Sequence, residues 1–138
     1  MKAEEDKPRD LKERTRAFAL RIVRLYAALP KSTEAQVIGK QVLRSGTSVG
    51  AHYREAMRAR SNAEFASKLQ GGLMELEETA YWLELLRDAK IVPSAKLGPL
   101  CGEIEELTAI LVTCSNRAQN KGKSQKVEGR RGNNELAK

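Results

Sequence analysis

The chain has 138 residues, enough for one compact domain and too few for two that each bury a core. Its 41% hydrophobic and 31% charged residues are ordinary for a globular protein, and 4% aromatics leave little for a base-stacking platform. Lys and Arg number 25 against 18 Asp and Glu, a net charge of +7 that favours polyanionic partners without naming one.

The start, Met1 to Asp10, is charged and does not read as a signal peptide; residues 1–8 are expected to form a flexible N-terminus. Helix 1, about 9–29, follows from Leu11, Thr15, Phe18, Ile22, Leu25 and Leu29, which recur in alternating steps of four and three. Pro30 ends it, and Thr33 with Gln36 forms a capping-box pattern that opens helix 2, about 34–59. The inward stripe of helix 2 reads Ile38, Val42, Ser45, Val49, His52 and Ala56, smaller and more polar than the first. Ser61 and Glu64 make a second capping box ahead of helix 3, about 62–89, with core positions Phe65, Leu69, Gly72, Leu76, Ala80, Leu83 and Leu86. Pro93 lies in the next break. Helix 4, about 94–119, then carries Leu97, Leu100, Ile104, Leu107, Leu111 and Cys114. From Lys121 the apolar period stops and Gly, Asn and Lys dominate, so 121–138 is expected to be a disordered basic tail.

All three connections are short, so sequential helices must run antiparallel. The expected fold is all-α, an up-down-up-down four-helix bundle over residues 9–120. No run approaches the roughly 18–20 apolar residues of a membrane span, and a cytoplasmic protein without membrane contact is expected. Cys101 and Cys114 are too far apart along one helix to bond and are expected as buried free thiols. One histidine and two separated cysteines cannot assemble a four-ligand zinc site, and no Glu-x-x-His pair of the di-iron bundles is present. Neither a metal nor a cofactor is expected.

A turn centred between Arg60 and Ser61 sets Gly50 opposite Gly71 and Val49 opposite Gly72. Glycines at one level, with the Gly46-x-x-x-Gly50 pair, point to closely approaching backbones rather than to a kink or an inserted side chain. His52 falls on the inward stripe and is expected to be a satisfied core histidine; Ser48 and Glu55 beside it offer no substrate cleft, so no catalytic site and no enzyme are expected. Glu75, Glu77 and Glu78 read as a solvated acidic face. Glu55, by contrast, borders the seam and faces Lys68 across the turn, which suggests an interhelical ion pair.

The stretch QVLRSGTSVGAHYREAMRAR from Gln41 to Arg60, SNAEFASKL from Ser61 to Leu69 and YWLELL from Tyr81 to Leu86 resemble the four-helix bundle protein family, which includes proteins encoded in intervening sequences of bacterial large-subunit ribosomal RNA genes. The resemblance spans roughly Ala17 to Cys114 and matches the family at Glu55, Ser61, Glu64 and Phe65; the family pattern usually has asparagine where this chain has His52. It implies a small up-down bundle assembled as a ring-shaped homopentamer with no established enzymatic activity. A distant relative, the accessory protein of diversity-generating retroelements, binds nucleic acid and a reverse transcriptase. The implied partners are therefore further copies of the chain, RNA or DNA, and a nucleic-acid enzyme.

Charge is divided unequally: segments 9–29 and 34–60 together carry +7, whereas 62–90 and 94–117 together carry −4. The function expected is a non-enzymatic oligomeric adaptor that holds nucleic-acid phosphates, without base specificity, on basic faces of helices 1 and 2. Its candidate contacts are Arg14, Arg21, Arg24, Arg44, Arg54, Arg58 and Arg60. The alternative is a protein-interaction scaffold whose basic side pairs with the acidic side of a neighbouring copy.

Overall fold

The apolar periods translate into four helices in the computed structural model, which describes the backbone of residues 2–136 and the side chains of residues 11–123. They are α1 (Lys2–Ala28), α2 (Thr33–Ala56), α3 (Asn62–Asp88) and α4 (Ser94–Leu136). Each packs against its sequence neighbours and α1 approaches α4, while among the described residues the backbones of the diagonal pairs α1–α3 and α2–α4 stay apart. This is the antiparallel four-helix bundle that the short connections require.

The helix ends show which local signals act. Ser61 caps α3, its hydroxyl accepting the Glu64 backbone N–H at 3.0 Å, as its capping-box sequence predicts. At the start of α2 the cap residue is Ser32 rather than Thr33, and no side chain caps it. Gln36 is engaged elsewhere: its amide donates to the Pro30 carbonyl at 2.8 Å and accepts from the Tyr26 hydroxyl at 3.0 Å, tying the α1–α2 turn together. At the end of α3 the N–H of Lys90 bonds to the Arg87 carbonyl and that of Ile91 to the Leu86 carbonyl. That Schellman pairing holds Lys90 in the left-handed region at φ 59, where glycine is the usual residue.

Helix runs further than the apolar period at both termini. α1 begins at Lys2 and α4 extends to Leu136, over stretches that read from sequence as a flexible N-terminus and a disordered tail; Met1 and residues 137–138 lie outside the described residues. Periodicity reports burial, whose last position among the described side chains is Ala118, whereas a nucleated helix can propagate by adding one backbone bond per residue.

The core follows the expected stripes closely in α1, α3 and α4, with Leu11, Phe18, Ile22, Leu69, Leu76, Leu83, Leu107 and Leu111 almost wholly buried. The buried hydroxyls of Thr15 and Ser45 donate to the carbonyls of Leu11 and Gln41, and those of Ser45 and Thr79 meet at 2.8 Å. Ser115 accepts from the Gln70 amide, so each polar residue of the core is bonded. Leu25, Phe65, Ala80 and Cys114 are only half-buried, and α4 instead buries Ser115 and Ala118. Both cysteines are free and half-buried rather than fully buried.

In α2 the expected stripe is too narrow. Gly39, Gly46, Gly50 and Tyr53 are buried while Ile38 and His52 are half-buried. α2 packs against α1 and α3 at once, so its core-facing arc is wider than one four-and-three stripe. The glycines accordingly serve two seams. A Cβ on Gly46 would lie 2.7 Å from Ile22, and one on Gly50 would lie 3.2 Å from Thr15, so both face α1. Gly72 does approach the Val49 carbonyl, as the register predicts, but Gly71 lies under His52 rather than opposite Gly50.

Candidate nucleic-acid interface

The seven candidate arginines do not form one basic face. Arg14 points from α1 to α4 and forks onto Glu103 with two bonds of 2.9 Å, while reaching Glu106 at 3.1 Å. The bond to Glu103 pulls its guanidinium pKa above the usual value. Arg44 points from α2 to α3, bonding Glu78 and, at 3.4 Å, Glu75. The Trp82 indole N–H donates to the same Glu78 carboxylate at 3.0 Å, and these two donors, Trp82 first, hold the Glu78 pKa below the usual carboxylate range. Of the three glutamates that read as solvated, Glu75 and Glu78 are thus members of an interhelical network, and Glu77 is exposed as expected.

His52 joins the edge of that network. Its Nε2 stands 3.7 Å from the second oxygen of Glu75, and its Nδ1 is buried with no hydrogen-bond partner among the described residues. The ring rests on Gly71, where a Cβ would come within 2.7 Å of Nδ1. The expectation of a satisfied core histidine is therefore corrected: His52 sits at the rim of the α2–α3 seam because Tyr53 takes the inward position. Glu55 meets Lys68 at 3.3 Å across the turn, the ion pair that the register predicts.

The other five arginines fall into two groups. Arg21 lies two turns after Arg14 on the same side of α1, and Arg24 is exposed on its outer face; neither has a carboxylate partner among the described residues. Arg54, Arg58 and Arg60 are exposed at the C-terminal end of α2 and in the following turn, also without carboxylate partners among the described residues. Arg60 lines a shallow groove with Met57, Asn62 and Phe65.

α4 reaches the same end of the bundle. A Cβ on Gly122 would lie 3.8 Å from Asn62, and Lys123 lines a groove with Ala63, Ser67 and Gln119. Exposed Lys121 and Lys123 therefore join Arg54, Arg58 and Arg60 at one pole. From sequence the two lysines read as part of a separate tail; the signal that places them is the length of α4, which in an antiparallel bundle runs toward the α2–α3 turn and passes it at Gly122. Such a pole can attract phosphates by charge and donate hydrogen bonds to them, with nothing in it that reads a base edge.

No helix of the described residues is long and apolar enough to cross a membrane. No curated protein matches the chain. A crystal structure of a protein of unknown function from the S23 ribosomal protein family of Bacteroides thetaiotaomicron superposes with a TM-score of 0.71 at 40% sequence identity, covering 75% of this chain and 95% of that one. The sequence profile of the 23S rRNA-intervening sequence proteins matches residues 9–113. Fold, motif and profile thus agree, and the chain belongs to the 23S rRNA-intervening sequence protein family.

Proposed function

We propose that the chain is a non-enzymatic, homo-oligomeric adaptor that binds nucleic-acid phosphates without sequence preference, with Arg54, Arg58, Arg60, Lys121 and Lys123 as its principal contacts. The observation that carries this reading is the contrast among the arginines. Arg14 and Arg44 are occupied by carboxylates of their own chain, whereas Arg54, Arg58 and Arg60 share one exposed pole and have none among the described residues. Glu55, paired with Lys68, and exposed Glu64 stand at the same end but leave the pole with a surplus of positive charge, which is the electrostatic footprint of a phosphate binder. The family resemblance favours a pentamer, and RNA and duplex DNA are the ligands to try side by side.

The test is the triple reversal Arg54→Glu, Arg58→Glu, Arg60→Glu in the full chain, assayed against labelled RNA and duplex DNA. Binding weakens at least tenfold, and the salt slope falls by about one for each phosphate that is no longer neutralised. Unchanged affinity, with helicity retained by circular dichroism, overturns the assignment of the site to this pole.

A further inference from the structure

Exposed large apolar residues stand singly on α2 (Val37, with Met57 at its C-cap) and α4 (Val112), whereas α1 and α3 each carry a stripe of them on the side turned away from the core. On α1, Leu20 is 37% and Val23 43% exposed, and Ala27 stands one heptad after Leu20. On α3, Met74 is 69% and Tyr81 53% exposed, again one heptad apart. In a helix that spacing puts each pair on one side, about 10 Å apart along the axis. The rims of the two stripes have opposite charge. Arg24 and Arg16, the latter paired with exposed Glu13 of its own helix at 3.1 Å, flank the α1 stripe, and Glu77, Glu84 and Asp88, the last bonded by Arg87 at 3.0 Å, flank the α3 stripe, all exposed.

We propose that the α1 stripe of one molecule docks on the α3 stripe of a second copy of this chain. This deepens the reading of the chain as a homo-oligomer, on which it rests, by naming the surfaces that meet. Charge selects the pairing: α3 against α3 would bring the carboxylates Glu77 and Glu84 together and α1 against α1 would bring Arg24 up to a second arginine, whereas α1 against α3 sets Arg24 against acid. Arg24, which has no carboxylate partner of its own chain among the described residues, gains one from the neighbour.

The bundle geometry makes that pairing directional. α1 and α3 are diagonal in the bundle, their backbones not approaching each other among the described residues, so their outer faces look in opposite directions. Each copy therefore offers one donor face and one acceptor face, and the interface is heterologous. Such an interface repeats from copy to copy until it closes into a ring or continues as a filament.

The test uses two full-length variants at exposed positions, Leu20→Glu on α1 and the pair Met74→Ala, Tyr81→Ala on α3, with mass measured by light scattering and folding checked by circular dichroism. Wild-type chain has the mass of an oligomer, and each variant alone falls to the mass of one chain. Mixed in equal amounts, the variants form a complex of one copy of each and grow no further, because only one intact α1 face and one intact α3 face remain. Variants that keep the wild-type mass overturn the proposed surfaces and leave oligomerisation standing. A mixture that stays monomeric overturns the heterologous pairing. A monomeric wild type overturns the oligomer itself, together with this inference.

Discussion

At the scale of single residues, the network around Arg44 shows how far an antiparallel register can be read. The register that sets Val49 at Gly72 also brings Arg44 level with Glu78, yet Glu75 and Glu78 read from sequence as solvated charge. Spacing along one helix cannot say which flank of a helix turns toward its neighbour. Glu78 gives this network a pH signature. Its pKa is lowered in the folded chain by the Trp82 indole and by Arg44, so its contribution is complete above the ordinary carboxylate range. That contribution is lost as the pH falls through the lowered value. Glu78→Gln therefore unfolds in less urea than wild type at neutral pH, by under about 1 kcal/mol as for exposed pairs, and the gap closes in acid. A gap that is the same at both pH values contradicts the role given to Glu78. His52 is the least legible residue, because its position depends on Tyr53 taking the inward place beside it.

At the scale of the helices, four elements and three of their core stripes are legible because burial on one side imposes a period, and a period needs only a sequence to be seen. α2 is not, since it is clasped on two sides and its small residues divide between two seams. That division separates glycines of different kinds. Gly46→Ala would drive a Cβ to within 2.7 Å of Ile22, which is fully buried and has no room to retreat; a loss of about 1–3 kcal/mol is expected despite alanine's better helix propensity. Gly102, in α4, has nothing within 4 Å of a Cβ. Gly102→Ala is expected to stabilise by about 0.5–1 kcal/mol. Urea unfolding of the two variants checks both signs, and a stabilised Gly46→Ala would contradict the close approach of α2 to α1. Helix length beyond the buried stripe is illegible for the same reason that the stripe is legible.

At the scale of the whole molecule, the division of charge between the two halves is visible in the sequence, but its layout is not. Folding uses some of the basic residues to join helices, at Arg14 and Arg44, and gathers others at one pole of the bundle. Apolar stripes of opposite rim charge are left on diagonal helices. Assembly through those stripes would carry many basic poles on one particle, which raises the effective concentration of phosphate-binding groups along a nucleic acid without further chemistry in any one subunit. The function proposed for this molecule is binding of nucleic-acid backbone by charge. The most direct measurement is the affinity of the full chain for labelled RNA and for duplex DNA across a salt series. The expected result is binding to both, with log affinity falling linearly against log salt at a slope that reports several neutralised phosphates. No binding to either at low salt would contradict that proposal.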